Sequence, residues 1–420
     1  MSIAEQSADP EAEQRRLPTR FREAEARGIR LGRPLRVIGR VREVDEDLMR
    51  QIGERLLARD ELGAALAHAM RLRAGAPGRV TMDDFNQALR HGIGSVTEPA
   101  AALVDLFEVV DRVPDWVDWD LLDRGARVYN RFGQNAADVL LQLSLIGGYR
   151  FGGPTDLLVA TGGLTGGTTR RRLAETQKWV TSLSEPDSLR RDGEAFRLTL
   201  HVRVMHALVN HSFEPRWDMS RWGLPINQSD QAATLGLFDA VLLIGVRALG
   251  VRVSGDDSRA VMHLWKYVGW LMGVDEDWLV DLERERHRIN YHLLLSQADV
   301  SEAGPQLSRA IIDAQRHLHS GRFAGTRGRL ARERTLSMLT VFLGPRSMHE
   351  LGLPLRPPWA VAYVVVLNTL RYRVLGATPW GRRRLDRWGN RVTARVLRLY
   401  FGDERHDVGR LDVSKERVPV

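Results

Sequence analysis

Apolar residues recur with a 3.6-residue period along almost the whole chain, and few segments show the alternation that a half-buried strand requires. This pattern restricts the fold to packed amphipathic helices, because an apolar stripe of that width can be hidden only against another element. Glu43 to Asp60 opens with acids that suit a helix N-terminus. Further helices are expected over Gly63 to Leu72, Met82 to Arg90 and Pro99 to Val110, and a long one from about Asp118 to Ile146, stopped by Gly147-Gly148. Asn227 or Ser229 can cap a helix running to about Leu249, and Ser254 can cap another that ends at Gly273. The pattern continues near Glu276 to Leu295, Gly304 to His319, Arg329 to Phe342, Trp359 to Leu375 and Gly381 to Tyr400. No fixed-period repeat is visible, which argues against a solenoid. The expectation is therefore an all-α chain. A single large helical domain spans residues 41–400, a polar, disordered N-terminal arm spans 1–40, and a polar tail spans 401–420.

With 420 residues, 43% of them apolar, the chain has enough hydrophobic material for a substantial core. Cysteine is absent, which excludes disulfides, thiolate-ligated haem, iron–sulfur clusters and cysteine nucleophiles. Lys and Arg exceed Asp and Glu by 61 to 53, a net charge of +8, and arginines concentrate between Gly381 and Tyr400. No RNP, zinc-finger or helix-turn-helix signature accompanies that charge, so no nucleic-acid partner is expected. Neither an apolar leader nor a long apolar span is evident. Pro357 to Leu370 is the longest apolar stretch, and Arg371 and Arg373 interrupt it before bilayer length. A cytoplasmic protein with possible peripheral membrane contact is expected.

The glycine-dense stretch "GGYRFGGPTDLLVATGGLTGGTTRR" lacks the spacing of a phosphate loop and follows no strand pattern. Sharp turns between helices explain its glycines better than a nucleotide does. No H-E-x-x-H or paired His/Cys spacing supports zinc. Among the histidines, His201, His206 and His211 recur at five-residue steps and cannot share one helix face. His206 lies best on the apolar stripe of Val202, Met205 and Val209, as either a core histidine bonded to a carbonyl or a ligand. The charged run holding His287 and His292 reads as a solvated helix face. Upstream, Arg172, Glu175 and Thr176 lie three and four residues apart on one helix face, as a surface ion pair with a neighbouring hydroxyl or as one wall of a cavity. Asp156, just after Pro154-Thr155, reads by spacing as a helix cap.

Five strings occur in an order that resembles the latex-clearing protein (rubber oxygenase) family and the wider MpaB-like oxygenases. They are "WVDWDLLDRGARVYNRFG", "ATGGLTGG", "RRLAET", "RVMHALV" and "WGLPINQSDQAATLGLF", within roughly Val113 to Gln297. The resemblance implies a helical fold with a globin-like core around haem b. It makes His206 the proximal iron ligand, places Arg172 and Thr176 on the distal side, and makes Asp156 the catalytic base. Dioxygen and an apolar alkene or isoprenoid-like substrate, cleaved at its double bond, are the implied reactants. Three positions depart from the family pattern: Glu175 replaces a lysine beside the threonine, Asp156 replaces a glutamate, and Asn210 replaces an arginine four residues after the histidine. Two other readings accommodate the same residues. One is a haem sensor or carrier without turnover, suggested by Glu175. The other is a haem-free helical scaffold that uses its arginine-rich C-terminal helix at membrane surfaces.

Overall fold

The computed structural model describes residues 17–162, 167–318 and 322–401, apart from the side chains of 167–172, 400 and 401. Residues 1–16, the center of "ATGGLTGG" and the tail beyond residue 401 lie outside the described residues. The regular elements are helical, with no strand among the described residues. Those that position the site are α1 (Glu25–Leu31), α2 (Glu61–Arg71), α3 (Trp119–Phe132), α4 (Pro154–Ala160), α5 (Gly167–Ser182) and α6 (Glu194–Phe213). They are followed by α7 (Gly255–Leu271), α8 (Glu283–Leu295), α9 (Ala324–Glu350), α10 (Trp359–Asn368) and α11 (Pro379–Phe401).

Local chemistry sets many of these boundaries. Asn227 accepts the amide of Asp230 at 2.9 Å and Ser254 that of Asp257 at 3.1 Å, each satisfying an end donor of the helix it starts. Gly250 and Gly273 terminate the helices before them in the left-handed region, at φ 84° and 77°. The long helix expected from Asp118 to Ile146 breaks at Gly133 (φ 53°) and resumes as Gln134–Val139, then as wider π-helical turns over Leu140–Ile146. The helix expected from Asn227 to Leu249 breaks at Asp239, between Gln228–Phe238 and Ala240–Ala248. Helical periodicity shows neither break, because the apolar stripe runs through both.

Packing joins α7 to α3, α6 to α2, and α11 to α3 and α5. At Gly125 the backbones of α3 and α7 come so close that a Cβ would stand 2.3 Å from the Ala260 carbonyl oxygen. Most of the core forms one cluster around Trp265, which stacks on Phe238 at 4.9 Å and meets Trp179 edge-on at 5.8 Å. A smaller cluster, with Ile146, Leu307, Leu336 and Met348, is joined to it through Leu143 and Phe342.

Two expectations about surface segments change. Residues 17–40 form α1 and a second short helix, Arg33–Ile38, where a disordered arm was expected. Arg20 is buried and pairs with Asp230 at 2.5 Å, while Arg27 reaches Glu350 at 2.7 Å. The arginines that made the segment look solvated are its anchors. The apolar stretch that seemed too short continues through Thr369–Val374, giving a helix over Trp359–Ala377. At 19 residues it is long and apolar enough to cross a membrane by length and composition alone, as is Gln228–Ala248.

Candidate functional site

The site is built on the hairpin of α5 and α6. Trp179 Nε1 donates to Thr199 Oγ1 at 2.9 Å, a buried rung between the two helices. Arg172 lies seven residues before Trp179, and His206 seven residues after Thr199. Seven residues are close to two turns, about 10.5 Å of rise, so each stays on the face of its rung partner. The stripe of α5 that contains position 172 and the stripe of α6 that contains His206 are thus the two that meet at the Trp179–Thr199 rung. On that stripe Trp179 and Leu183 are buried, Glu175 is half-buried and Thr176 is exposed. The Arg172 side chain lies outside the described residues.

The three α6 histidines differ in their chemistry. His201 is saturated, with Nδ1 against the Arg197 carbonyl and Nε2 against Asn86 Oδ1, both at 2.9 Å. His211 meets the ring of His68 edge-on at 5.9 Å. His206 is half-buried, its Nδ1 is buried without a hydrogen-bond partner, and neither ring nitrogen is paired among the described residues. Burial pushes its pKa down to about 4, against the opposing charge of Asp60. The imidazole is therefore neutral at neutral pH, the form that offers a lone pair to a metal. Among the described residues no group of three or more His, Asp or Glu could hold a bare metal ion, but a haem iron needs one axial ligand from the protein. A neutral, half-buried imidazole with no partner among the described residues fits that role.

Sequence reasoning missed the support behind it. Arg203, one turn before His206, is buried and grips Asp60 through Nε at 2.6 Å and Nη2 at 2.7 Å. Its Nη1 reaches the Leu271 carbonyl at 3.3 Å, tying α6 to the end of α7. The i−3 spacing from His206 is legible in the sequence, but the partner Asp60 is 143 residues away from Arg203.

Asp156 caps its helix, as its spacing suggests: its Oδ2 accepts the Gly153 amide at 2.9 Å at the start of α4. Its Oδ1 makes no hydrogen bond among the described residues. Asn210, where the family pattern has arginine, binds the Ile226 backbone with both amide groups at 3.0 and 3.1 Å, and so serves the loop rather than the site. The expected solvated face around His287 and His292 is overturned. Arg286, His287, Asn290 and His292 are buried, with Arg286 paired to Asp239 at 2.8 Å and His287 facing Glu283 at 3.3 Å. His292 accepts the Asp45 amide at 2.9 Å. These side chains lie in the core, where Arg286 Nη1 and Nη2, His287 Nδ1 and both Asn290 amide atoms have no partner among the described residues.

Residues 134–379, more than half of the chain and including Asp156, Arg172, Glu175, Thr176 and His206, match the family described as ER-bound oxygenase mpaB/B'/Rubber oxygenase, catalytic domain. The chain belongs to this family. A rubber oxygenase of Streptomyces sp. (strain K30) is 24% identical over 187 residues, covering 42% of this chain. That alignment spans 44% of the Streptomyces enzyme, less than half its length. A solved structure of latex clearing protein LCP in the closed state superposes with a TM-score of 0.62 at 18% identity, covering 81% of this chain and 91% of the other. The all-α architecture of this oxygenase family is thus shared at the level of fold.

Proposed function

We propose that this chain is a haem b-dependent oxygenase that cleaves a carbon–carbon double bond of an apolar, alkene-containing substrate. The observation that carries the proposal is His206, a half-buried imidazole, neutral at neutral pH, whose ring nitrogens have no hydrogen-bond partner among the described residues. His206 would hold the iron, with Arg172 and Thr176 on the opposite wall. Haem, when bound, would supply the binding and activation of dioxygen, chemistry that belongs to the cofactor. The protein's share is ligation, orientation and exclusion of water. Arg203 and Asp60 fix the turn that carries His206. Asp156 Oδ1 is the oxygen left to take an allylic proton, since Oδ2 is held by the Gly153 amide. Glu175 places a carboxylate where the family pattern has a lysine, so a lysine cap over the iron is not available at this position.

A pyridine haemochrome spectrum of the purified protein beside His206→Ala tests the reading. A b-type spectrum in the wild type that is lost in the folded variant is expected. Absence of haem from both, despite adequate supply during expression, would overturn it. Glu175 also favors a second reading, a haem sensor or carrier with the same pocket. Oxygen uptake across a panel of terpenoids and isoprenoid oligomers separates the two, because a carrier consumes none.

A further inference from the structure

We propose that the helix Trp359–Ala377 is an in-plane docking surface for an anionic phospholipid membrane. One side of this helix belongs to the body of the protein. Ala360, Val364, Asn368 and Tyr372 recur at four-residue steps and are buried. Asn368 Nδ2 donates to the Leu249 carbonyl at 2.8 Å and to Asn135 Oδ1 at 2.7 Å, and Tyr372 donates to the Arg131 carbonyl at 2.7 Å. A spanning orientation would strip these groups from their partners in a medium that offers none. The helix therefore lies along the protein.

The other side is apolar and exposed among the described residues. Trp359, Tyr363, Val366, Leu367, Leu370 and Val374 are all exposed, with Val366 at 60%, Leu370 at 56% and Val374 at 65%. A contiguous exposed stripe of this kind marks an interaction surface rather than scattered surface apolarity. The surrounding charge identifies the partner. From Leu351 to Leu385 the sequence contains six arginines and no Asp or Glu. Of these, Arg371, Arg373, Arg382, Arg383 and Arg384 form no ion pair among the described residues. Trp359 begins the stripe and Trp380, 58% exposed, follows its end, residues suited to the headgroup level. An apolar face rimmed by arginine and bounded by tryptophan matches an anionic bilayer surface. A second copy of the chain matches poorly, because two such faces would bring their unpaired arginines against one another. The inference does not depend on haem binding.

Vesicle co-sedimentation of the full chain tests it, using phosphatidylcholine with and without about 30 mol % phosphatidylglycerol, the anionic lipid supplying the surface potential. Binding to the anionic vesicles that weakens with salt is expected. Replacing Arg382, Arg383 and Arg384 with Gln should lower vesicle affinity about a hundredfold, at roughly fivefold per arginine. Val366→Asn with Leu370→Asn should lower it at least about tenfold through lost apolar insertion. Circular dichroism checks that each variant stays folded. No binding by the wild type at low salt overturns the proposal, as does binding that neither variant weakens. A lipid-independent dimer in light scattering, lost in the Val366/Leu370 variant, would assign the face to a second copy and also overturn it.

Discussion

Helices α6 and α8 both carry histidines toward the interior, and they differ in how many polar partners those rings find. In α8, His292 accepts an amide and faces the Arg288 carbonyl at 2.8 Å, and Arg286 holds the fully buried Asp239. In α6, neither ring nitrogen of His206 has a partner among the described residues, although His201, five residues earlier on the same helix, has a polar contact on both nitrogens. A buried imidazole costs stability unless its polar atoms are paired, and most buried polar atoms are paired. Helix α8 also keeps buried atoms without a partner among the described residues, His287 Nδ1 and both Asn290 amide atoms included, but each of its histidines has at least one polar partner, and a ligand would account for the lack of any at His206.

The largest test of that contrast is the cofactor itself. His206→Ala should abolish haem incorporation while leaving far-UV circular dichroism intact, and His206→Gly should regain haem when free imidazole is supplied. Equal haem content in wild type and His206→Ala would erase the distinction between the two helices. The counterpart in α8 is Asp239→Ala, which strands Arg286 in the core. It should cost about 3–5 kcal/mol in urea unfolding, the usual effect of breaking a buried pair. Haem should persist in the fraction that remains folded, and its selective loss from folded protein would show that α8 belongs to the site after all.

Titration gives a smaller and more specific signal. The folded-state pKa of His206 is depressed to about 4 from an ordinary value of 6.5, so the unfolded chain binds more protons between those limits. Stability from this group is present above pH 6.5 and is lost as pH falls toward 4. The apoprotein should be on the order of 2 kcal/mol less stable at pH 5 than at pH 7.5 on account of this group. That component should disappear in His206→Ala. Glu283, held down at about 2 by its hydrogen bonds to His287, Arg247 and Ser258 against desolvation, loses its contribution at lower pH, from about 4.5 down through 2. Urea midpoints at pH 7.5, 5 and 3 separate the two groups. An unchanged difference between pH 7.5 and 5 in His206→Ala would refute the assignment of that window.

Local signals were legible in the sequence wherever their partners lie close in the chain. The caps at Asn227 and Ser254, the stops at Gly250 and Gly273, and the cap formed by Asp156 all act within a few residues. The position of His206 on an apolar stripe was legible for the same reason. What stayed hidden depends on remote partners. Arg20 finds Asp230 across 210 residues, and His292 meets the Asp45 amide across 247. Without those partners, charged residues in 17–40 and around His287 look solvated. The breaks at Gly133 and Asp239 were obscured because each helix continues its neighbour's apolar stripe.

The smallest expected effect concerns the rung between α5 and α6. Trp179→Phe removes one hydrogen bond to Thr199 but keeps a ring in the cluster around Trp265. The lost bond should cost about 1 kcal/mol, though the Thr199 hydroxyl still donates to the Ala195 carbonyl at 2.7 Å, which limits the loss. If the rung only stabilises the hairpin, haem content and its absorption spectrum should stay as in the wild type. If it also fixes the register of α5 against α6, haem should remain bound while oxygen uptake falls, because the wall carrying Arg172 and Thr176 can then shift along α6. Haem content and uptake rate measured together on this one variant therefore sharpen the comparison within α6. They show whether the saturated end of the helix, at Thr199 and His201, acts only as scaffold or also sets the register of the unsaturated one.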